Sequence, residues 1–180
     1  MLKKILAVLI VVIAAFAGYV ALQPDELVIQ RQQAINAAPD KVFAQVNDLH
    51  KWDAWSPWAK IDPKAKIGFE GPAAGKDASF TWSGNDTIGE GRMTIVESRP
   101  AEVVDINVAF TKPFENTSSS KFEFTPKADQ TLVTWTMSGK QNYLEKAMCI
   151  IFRGKAMVGG EMANGLSNLK AVSEGGATTP

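Results

Sequence analysis

Hydrophobic and polar positions divide this chain into three regimes, and the first is the simplest. Ile5 through Leu22 run for eighteen residues without a charge, between Lys3-Lys4 and Gln23-Pro24-Asp25-Glu26. No polar face recurs at helical spacing, which argues against a core helix. The length falls at the lower end of the roughly 17–25 residues that cross a hydrocarbon core of about 30 Å. Lysines before the run and acids after it predict an N-in, C-out membrane anchor through residues 5–22, with the remainder on the extracytoplasmic, periplasmic side. A cleaved secretory signal is the alternative, with Ala15-Phe16-Ala17 as a small-x-small site, which would leave a secreted or periplasmic domain. Continuation of the run past that site through Tyr19, Val20 and Leu22 favours the anchor.

The second regime opens with Leu27-Val-Ile-Gln-Arg-Gln-Gln-Ala-Ile35, which alternates as a strand with Leu27, Ile29 and Ile35 on one side. Pro39 and Asp40 suit the first turn of a short helix, and Val42, Phe43, Val46 and Leu49 give it one buried face. It ends near His50-Lys51, where Trp52-Asp-Ala-Trp-Ser-Pro-Trp58 begins and Pro57 blocks continuation. From Lys66 to Gly139 the period is two. Ile67/Phe69, Phe80/Trp82, Met93/Ile95, Val104/Ile106/Val108/Phe110, Phe122/Phe124 and Val133/Trp135/Met137 alternate inward. Between them lie turn sequences such as Gly71-Pro72, Gly84-Asn85-Asp86 and Arg99-Pro100. This predicts an antiparallel meander with one apolar face.

The third regime, Tyr143 to about Ser173, returns to helical spacing. Met148, Phe152, Ala156, Gly159, Ala163, Leu166 and Leu169 form an apolar stripe that would cover the sheet. Gly159-Gly160 and Gly165 each cost a helix up to about 1 kcal/mol relative to alanine, so they imply close approach or room beneath the helix. The expected division is 1–24 as anchor or signal, 25–173 as one domain and 174–180 as a disordered tail.

Composition narrows the chemistry. With 19 basic and 19 acidic residues the formal charge is zero, and no basic stripe exists to track a nucleic acid. One cysteine, Cys149, makes no internal disulfide and reads as core within Ala147-Met-Cys-Ile-Ile-Phe152. An exported domain without disulfides suggests a bacterial cell envelope. One histidine cannot build a His-based metal site, Asp48, Asp53 and Asp62 match no metal loop, and no phosphate loop or nucleophile elbow occurs. No cofactor or metal is expected.

Three candidates for acid–base chemistry remain. Glu90 and Arg92 lie two apart on one strand and share a face, as a catalytic pair if that face lines a cavity and as a surface ion pair if Met93 and Ile95 take the inner face. His50, beside the tryptophan segment, is a base at a pocket mouth or a solvated residue at a helix end. The tryptophans either frame an entrance or plug one end of the sheet. The inward set Trp55, Trp58, Phe80, Trp82, Met93, Phe110, Phe122, Trp135, Met137, Met148 and Phe152 serves as cavity wall or as ordinary core, the methionines favouring an adaptable wall.

Strand, short helix, meander and long terminal helix is the order of the helix-grip, START-like α+β fold, in which a curved antiparallel sheet wraps a long C-terminal helix. Ala38-Pro39-Asp40-Lys-Val42-Phe43, Asn47-Asp48-Leu49, Trp52-x-x-Trp55-Ser-Pro-Trp58 and Asp62-Pro63 resemble the opening of the polyketide cyclase/dehydrase-like branch of the SRPBCC superfamily. Trp82-Ser-Gly-Asn85, Gly89-Glu90-Gly91-Arg92-Met93, Val133-Thr-Trp-Thr-Met137 and Gly165-Leu-Ser-Asn-Leu-Lys170 extend the resemblance to about Lys170. It implies an apolar cavity between sheet and helix that takes a hydrophobic or amphipathic small molecule such as a lipid, isoprenoid or polyketide. A cyclase- or dehydratase-like enzyme using Glu90 or His50 is the alternative. An envelope module with a filled core is a further one.

Overall fold

A computed structural model of the chain describes residues 1–175, so the tail expected from 174 lies, past Gly175, outside the described residues. The charge-free run forms helix α1 (Leu2–Ala21), long and apolar enough to cross a membrane, with Val20 its buried residue. Strand β1 (Glu26–Ile35) follows, then α2 (Pro39–Val46), with Pro39 in its first turn and Val42 and Val46 fully buried. A short 3-10 helix spans Leu49–Ala54, capped by the Asp48 carboxylate, which accepts from the His50 backbone N–H at 3.0 Å.

Six strands then run in sequence: β2 (Lys66–Glu70), β3 (Ser79–Ser83), β4 (Glu90–Arg99), β5 (Val103–Lys112), β6 (Asn116–Lys127) and β7 (Gln130–Lys140). Each pairs antiparallel with the next, and β1 closes beside β7, giving the order β1-β7-β6-β5-β4-β3-β2. Register places Phe80 opposite Met93, Trp82 opposite Gly91, Ile95 opposite Ile106, Val104 opposite Phe122 and Phe122 opposite Trp135. Since side chains alternate between faces, these pairs put the whole expected apolar set on one face, as the period of two requires.

The C-terminal stretch is two helices, of which the second is the cover. α3 (Tyr143–Ile151) and α4 (Gly154–Glu174) are separated at Arg153, whose φ of 54° is left-handed. Gly154 makes the join possible, because a Cβ there would lie 3.1 Å from Cys149 Sγ and 3.4 Å from Cys149 Cα. α4 packs mainly on β1 and α2 through Gly159, Met162, Gly165, Leu166 and Leu169. Ala156 and Ala163, expected on that stripe, face solvent; Met162 takes the inward place, where it buries more apolar area than alanine can. The break also turns α3 over. Its buried residue is Lys146, while Met148 and Phe152, expected inward, are exposed and Cys149 is half-buried on the flank rather than in the core.

Candidate ligand site

The tryptophan segment fills one end of the sheet. Trp52 and Trp55 are buried, and their indole N–H groups donate to Val46 O at 2.9 Å and Gln45 O at 3.1 Å. Those carbonyls belong to the last turn of α2, which has no intrahelical donors for them, so two tryptophans finish the helix from outside. Trp55 meets Phe122 and Trp135 edge-on at 5.9 and 6.0 Å, Trp58 meets Trp135 at 5.5 Å, and Phe122 stacks on Trp135 at 4.7 Å. The Trp135 indole N–H donates to Ser120 Oγ at 2.9 Å. α4 closes over this cluster at Gly165, where a Cβ would lie 2.9 Å from both Pro57 and the Trp135 ring.

The other half of the same face is open. Phe69, Phe80, Trp82 and Phe110 form an unbroken aromatic run across β2 to β5, with successive ring centroids 5.5, 6.2 and 5.4 Å apart. Ile67 and Phe69 are exposed, and Phe80, Trp82, Met93 and Phe110 are half-buried and packed against the core. Trp82 lies flat across β4 because Gly91 has no side chain; a Cβ there would stand 2.5 Å from the indole ring. Its N–H donates to Ile88 O at 2.9 Å, so the ring presents only carbon to the open side.

Two of the three acid–base candidates sit elsewhere. Glu90 and Arg92 share the outer face, turned away from the aromatic run, and do not pair with each other. Arg92 makes a bidentate contact with Glu70 at 2.9 and 3.0 Å, and Glu90 accepts from Lys112 Nζ at 3.0 Å and Ser83 Oγ at 2.9 Å. Same-face neighbours along a strand are about 6.6 Å apart while cross-strand neighbours are about 5 Å, so Glu90 finds Ser83 and Lys112 on the adjacent strands β3 and β5, while the longer Arg92 reaches over β3 to Glu70 on β2. Lys112 and Ser83 hold the Glu90 carboxyl below the usual carboxylate range, and Arg92 does the same to Glu70. Neither is poised to carry a proton near neutrality. His50 is exposed, with Nδ1 3.1 Å from Asp48 Oδ1 and its ring stacked on Phe69 at 3.9 Å. It stands at the outer end of the aromatic run.

A family model described as "Polyketide cyclase / dehydrase and lipid transport" matches residues 26–174. The chain belongs to this family. No curated protein matches it. Among solved structures it is similar to the Aha1 dimer from Colwellia psychrerythraea, at 18% identity over 82% of this chain and 96% of that one, with a TM-score of 0.59. It is also similar to DynU16, described as a putative protein in the dynemicin biosynthetic locus, at 13% identity over 88% of this chain and 51% of that one (TM-score 0.58). Ara h 8.0201 aligns at 10% identity over 82% and 97% of the two chains, with a TM-score of 0.57. These likenesses show the helix-grip fold that the family shares.

Within that fold, the residues expected to line a site fall into three places. Trp55, Trp58, Phe122 and Trp135 are in the filled end, Met137 packs beside them, and Phe80, Trp82, Met93 and Phe110 are in the open half. Met148 and Phe152 lie outside both. Arg31 escaped the sequence reasoning. It shares the inward parity of β1 with Leu27 and Ile29, and its Nε donates to Gly159 O at 3.0 Å. Gly159 leaves the room for it, since a Cβ there would meet the guanidinium. The signal was available: an arginine on the inward register of a strand, facing a glycine pair on the covering helix.

Proposed function

We propose that this family member is a membrane-tethered domain that holds a hydrophobic or amphipathic small molecule, such as a lipid, isoprenoid or polyketide, against the open half of its sheet. The observation that carries this is the run Phe69-Phe80-Trp82-Phe110, apolar carbon on the inner face that α4 leaves uncovered. Exposed contiguous apolar surface of this kind marks a ligand or lipid surface. The anchor reading draws support from Val20, fully buried against the domain, and from Tyr143, whose hydroxyl donates to Ala17 O at 3.0 Å. In this arrangement the domain lies on the extracytoplasmic side, since the lysines precede the span. The filled tryptophan end is what an envelope module without a ligand would also have, and one experiment separates the two. A chain truncated before Gln23 is titrated with fatty acids and isoprenoid alcohols of increasing length while tryptophan emission is followed. A saturable change, with affinity rising by up to about 0.8 kcal/mol per methylene and lost in Trp82→Ala, is the expected result. A folded protein that gives no saturable signal with any of these probes would leave the envelope-module reading in its place.

A further inference from the structure

Helix α3 is built inside out. Leu144, Met148, Ile151 and Phe152 are 39–67% exposed, and Met157 at the start of α4 is 63% exposed, while the buried residue of α3 is Lys146. The helix is well formed, with a capping box in which Asn142 and Glu145 satisfy each other's backbone N–H groups. Glu145, the one acid on α3, is further engaged by Asn116 Nδ2 at 2.7 Å. Water is the wrong solvent for such a face.

What stands beside it is the exit of α1. Lys146 Nζ donates to Gln23 O at 3.0 Å and to Asp25 Oδ1 at 2.8 Å, and the Gln141 N–H donates to Asp25 O at 2.7 Å. The Tyr143 hydroxyl reaches Ala17, four residues inside the end of α1. At 1.5 Å per residue that is about 6 Å of helix. Interfacial helices sit about 5–10 Å into the boundary between headgroups and acyl chains, so a bilayer crossed by α1 meets α3 at that depth. Tyr143 would then occupy the belt where tyrosine is enriched. Arg153 and Lys155, both exposed in the same segment, are cations available to lipid phosphates.

We propose that α3 is a second membrane contact: an interfacial helix that lays Leu144, Met148, Ile151 and Phe152 into the bilayer surface and fixes the domain's orientation on it. This rests on α1 being a membrane anchor. Its consequence for the site follows from Asn116, which holds Glu145 and lies opposite Phe110 in the sheet register. The aromatic run therefore ends next to the membrane-facing helix.

The test uses the full chain with Cys149→Ser, reconstituted in phosphatidylcholine vesicles containing phosphatidylglycerol. Single cysteines replace Leu144, Phe152, Val11 on α1, or Asp129 at the opposite end of β7, and carry a polarity-sensitive fluorophore. All four positions are exposed on the folded chain, so the labels do not disturb packing. The expected result is blue-shifted emission at 144 and 152, lost when the lipids carry brominated acyl chains, with 11 also quenched and 129 unaffected. Quenching at 11 with 144 and 152 behaving like 129 would overturn the interfacial helix and leave the anchor standing. An unquenched label at 11 would remove the anchor and the proposal together. Labels at 144 and 152 that are shielded from water but untouched by bromine would mean that a protein surface, not lipid, covers α3.

Discussion

Three glycines on α4 should respond to the same substitution in three ways, because their surroundings differ while their helix does not. Alanine is favoured over glycine in a helix interior by about 0.8–1.0 kcal/mol, a gain common to all three. At Gly160 a Cβ meets nothing within 4 Å, so Gly160→Ala should keep the whole gain. At Gly165 the new methyl would stand 2.9 Å from Pro57 Cδ and from the Trp135 ring, short of the roughly 3.5–4.0 Å at which carbons attract. Neither neighbour can retreat cheaply: Pro57 is a ring in the chain, and Trp135 is fully buried, stacked on Phe122 and edge-packed by Trp55 and Trp58. Overpacking of this kind costs about 1–3 kcal/mol, so Gly165→Ala should end near neutral or up to about 2 kcal/mol destabilised. Gly159→Ala falls between, since the obstruction is the flexible tip of Arg31, which can swing out at the loss of its bond to Gly159 O. Urea denaturation of the full chain in detergent, followed by tryptophan emission, reads these differences. With a slope of about 2 kcal/mol per molar, the Gly160→Ala midpoint should rise above the parent and lie about 0.5–1.5 M above that of Gly165→Ala, which falls at or below the parent. Equal stabilisation at 160 and 165 would show that α4 does not press on Trp135, and the account of the filled end would fail.

Other expectations follow from the same contacts. Leu166→Ala, at a site 1% exposed, should cost about 2–5 kcal/mol in the same urea assay, and a change of a few tenths would remove α4 from the core. Glu90→Gln should leave ligand affinity in the fluorescence titration unchanged, because Glu90 is on the outer face with Lys112 and Ser83; a loss of binding would place it at the site after all. Lys146 depresses the Asp25 carboxyl pKa through a hydrogen bond and its charge, so the stability this adds is present above the ordinary carboxylate range and lost as pH falls through the depressed value. Asp25→Asn should therefore lower the urea midpoint at neutral pH and flatten its acid limb, and an unchanged acid limb would show that the tie carries no stability.

The meander was readable because one face of each strand is apolar, and alternation survives in sequence even for five-residue strands such as Lys66–Glu70. Strand order follows from short turns, and the helical stripe found Leu166 and Leu169 correctly. What the pattern could not convey was which side of an amphipathic segment faces protein. Met148 and Phe152 look inward under the assumption that apolar faces seek the core, and that assumption breaks for α3. The helix break at Arg153 has a similar cause. A helix-period pattern runs through it, and only the close approach of Gly154 to Cys149 separates the two axes. The open half of the sheet was legible as aromatic residues but not as open, since coverage depends on where α4 lands.

The position of β1 beside β7 sets a timetable for this chain. Ile35 pairs with Thr131 and Glu26 with Lys140, so the first strand to be made has no neighbour until the last has been made. Bringing such distant segments together carries a loop-closure cost that grows only slowly with length, but contacts of long sequence separation slow folding. The β2–β6 hairpins can assemble first, each from a local turn. Until β7 arrives, the growing sheet has an unsatisfied edge on β6, Phe122 and Trp55 lack Trp135, and β1 hangs beside α1 with its apolar residues uncovered. A ribosome that stops before residue 130 would therefore leave a sticky fragment rather than a smaller domain. Protection from aggregation during synthesis falls to whatever shields that half-built edge.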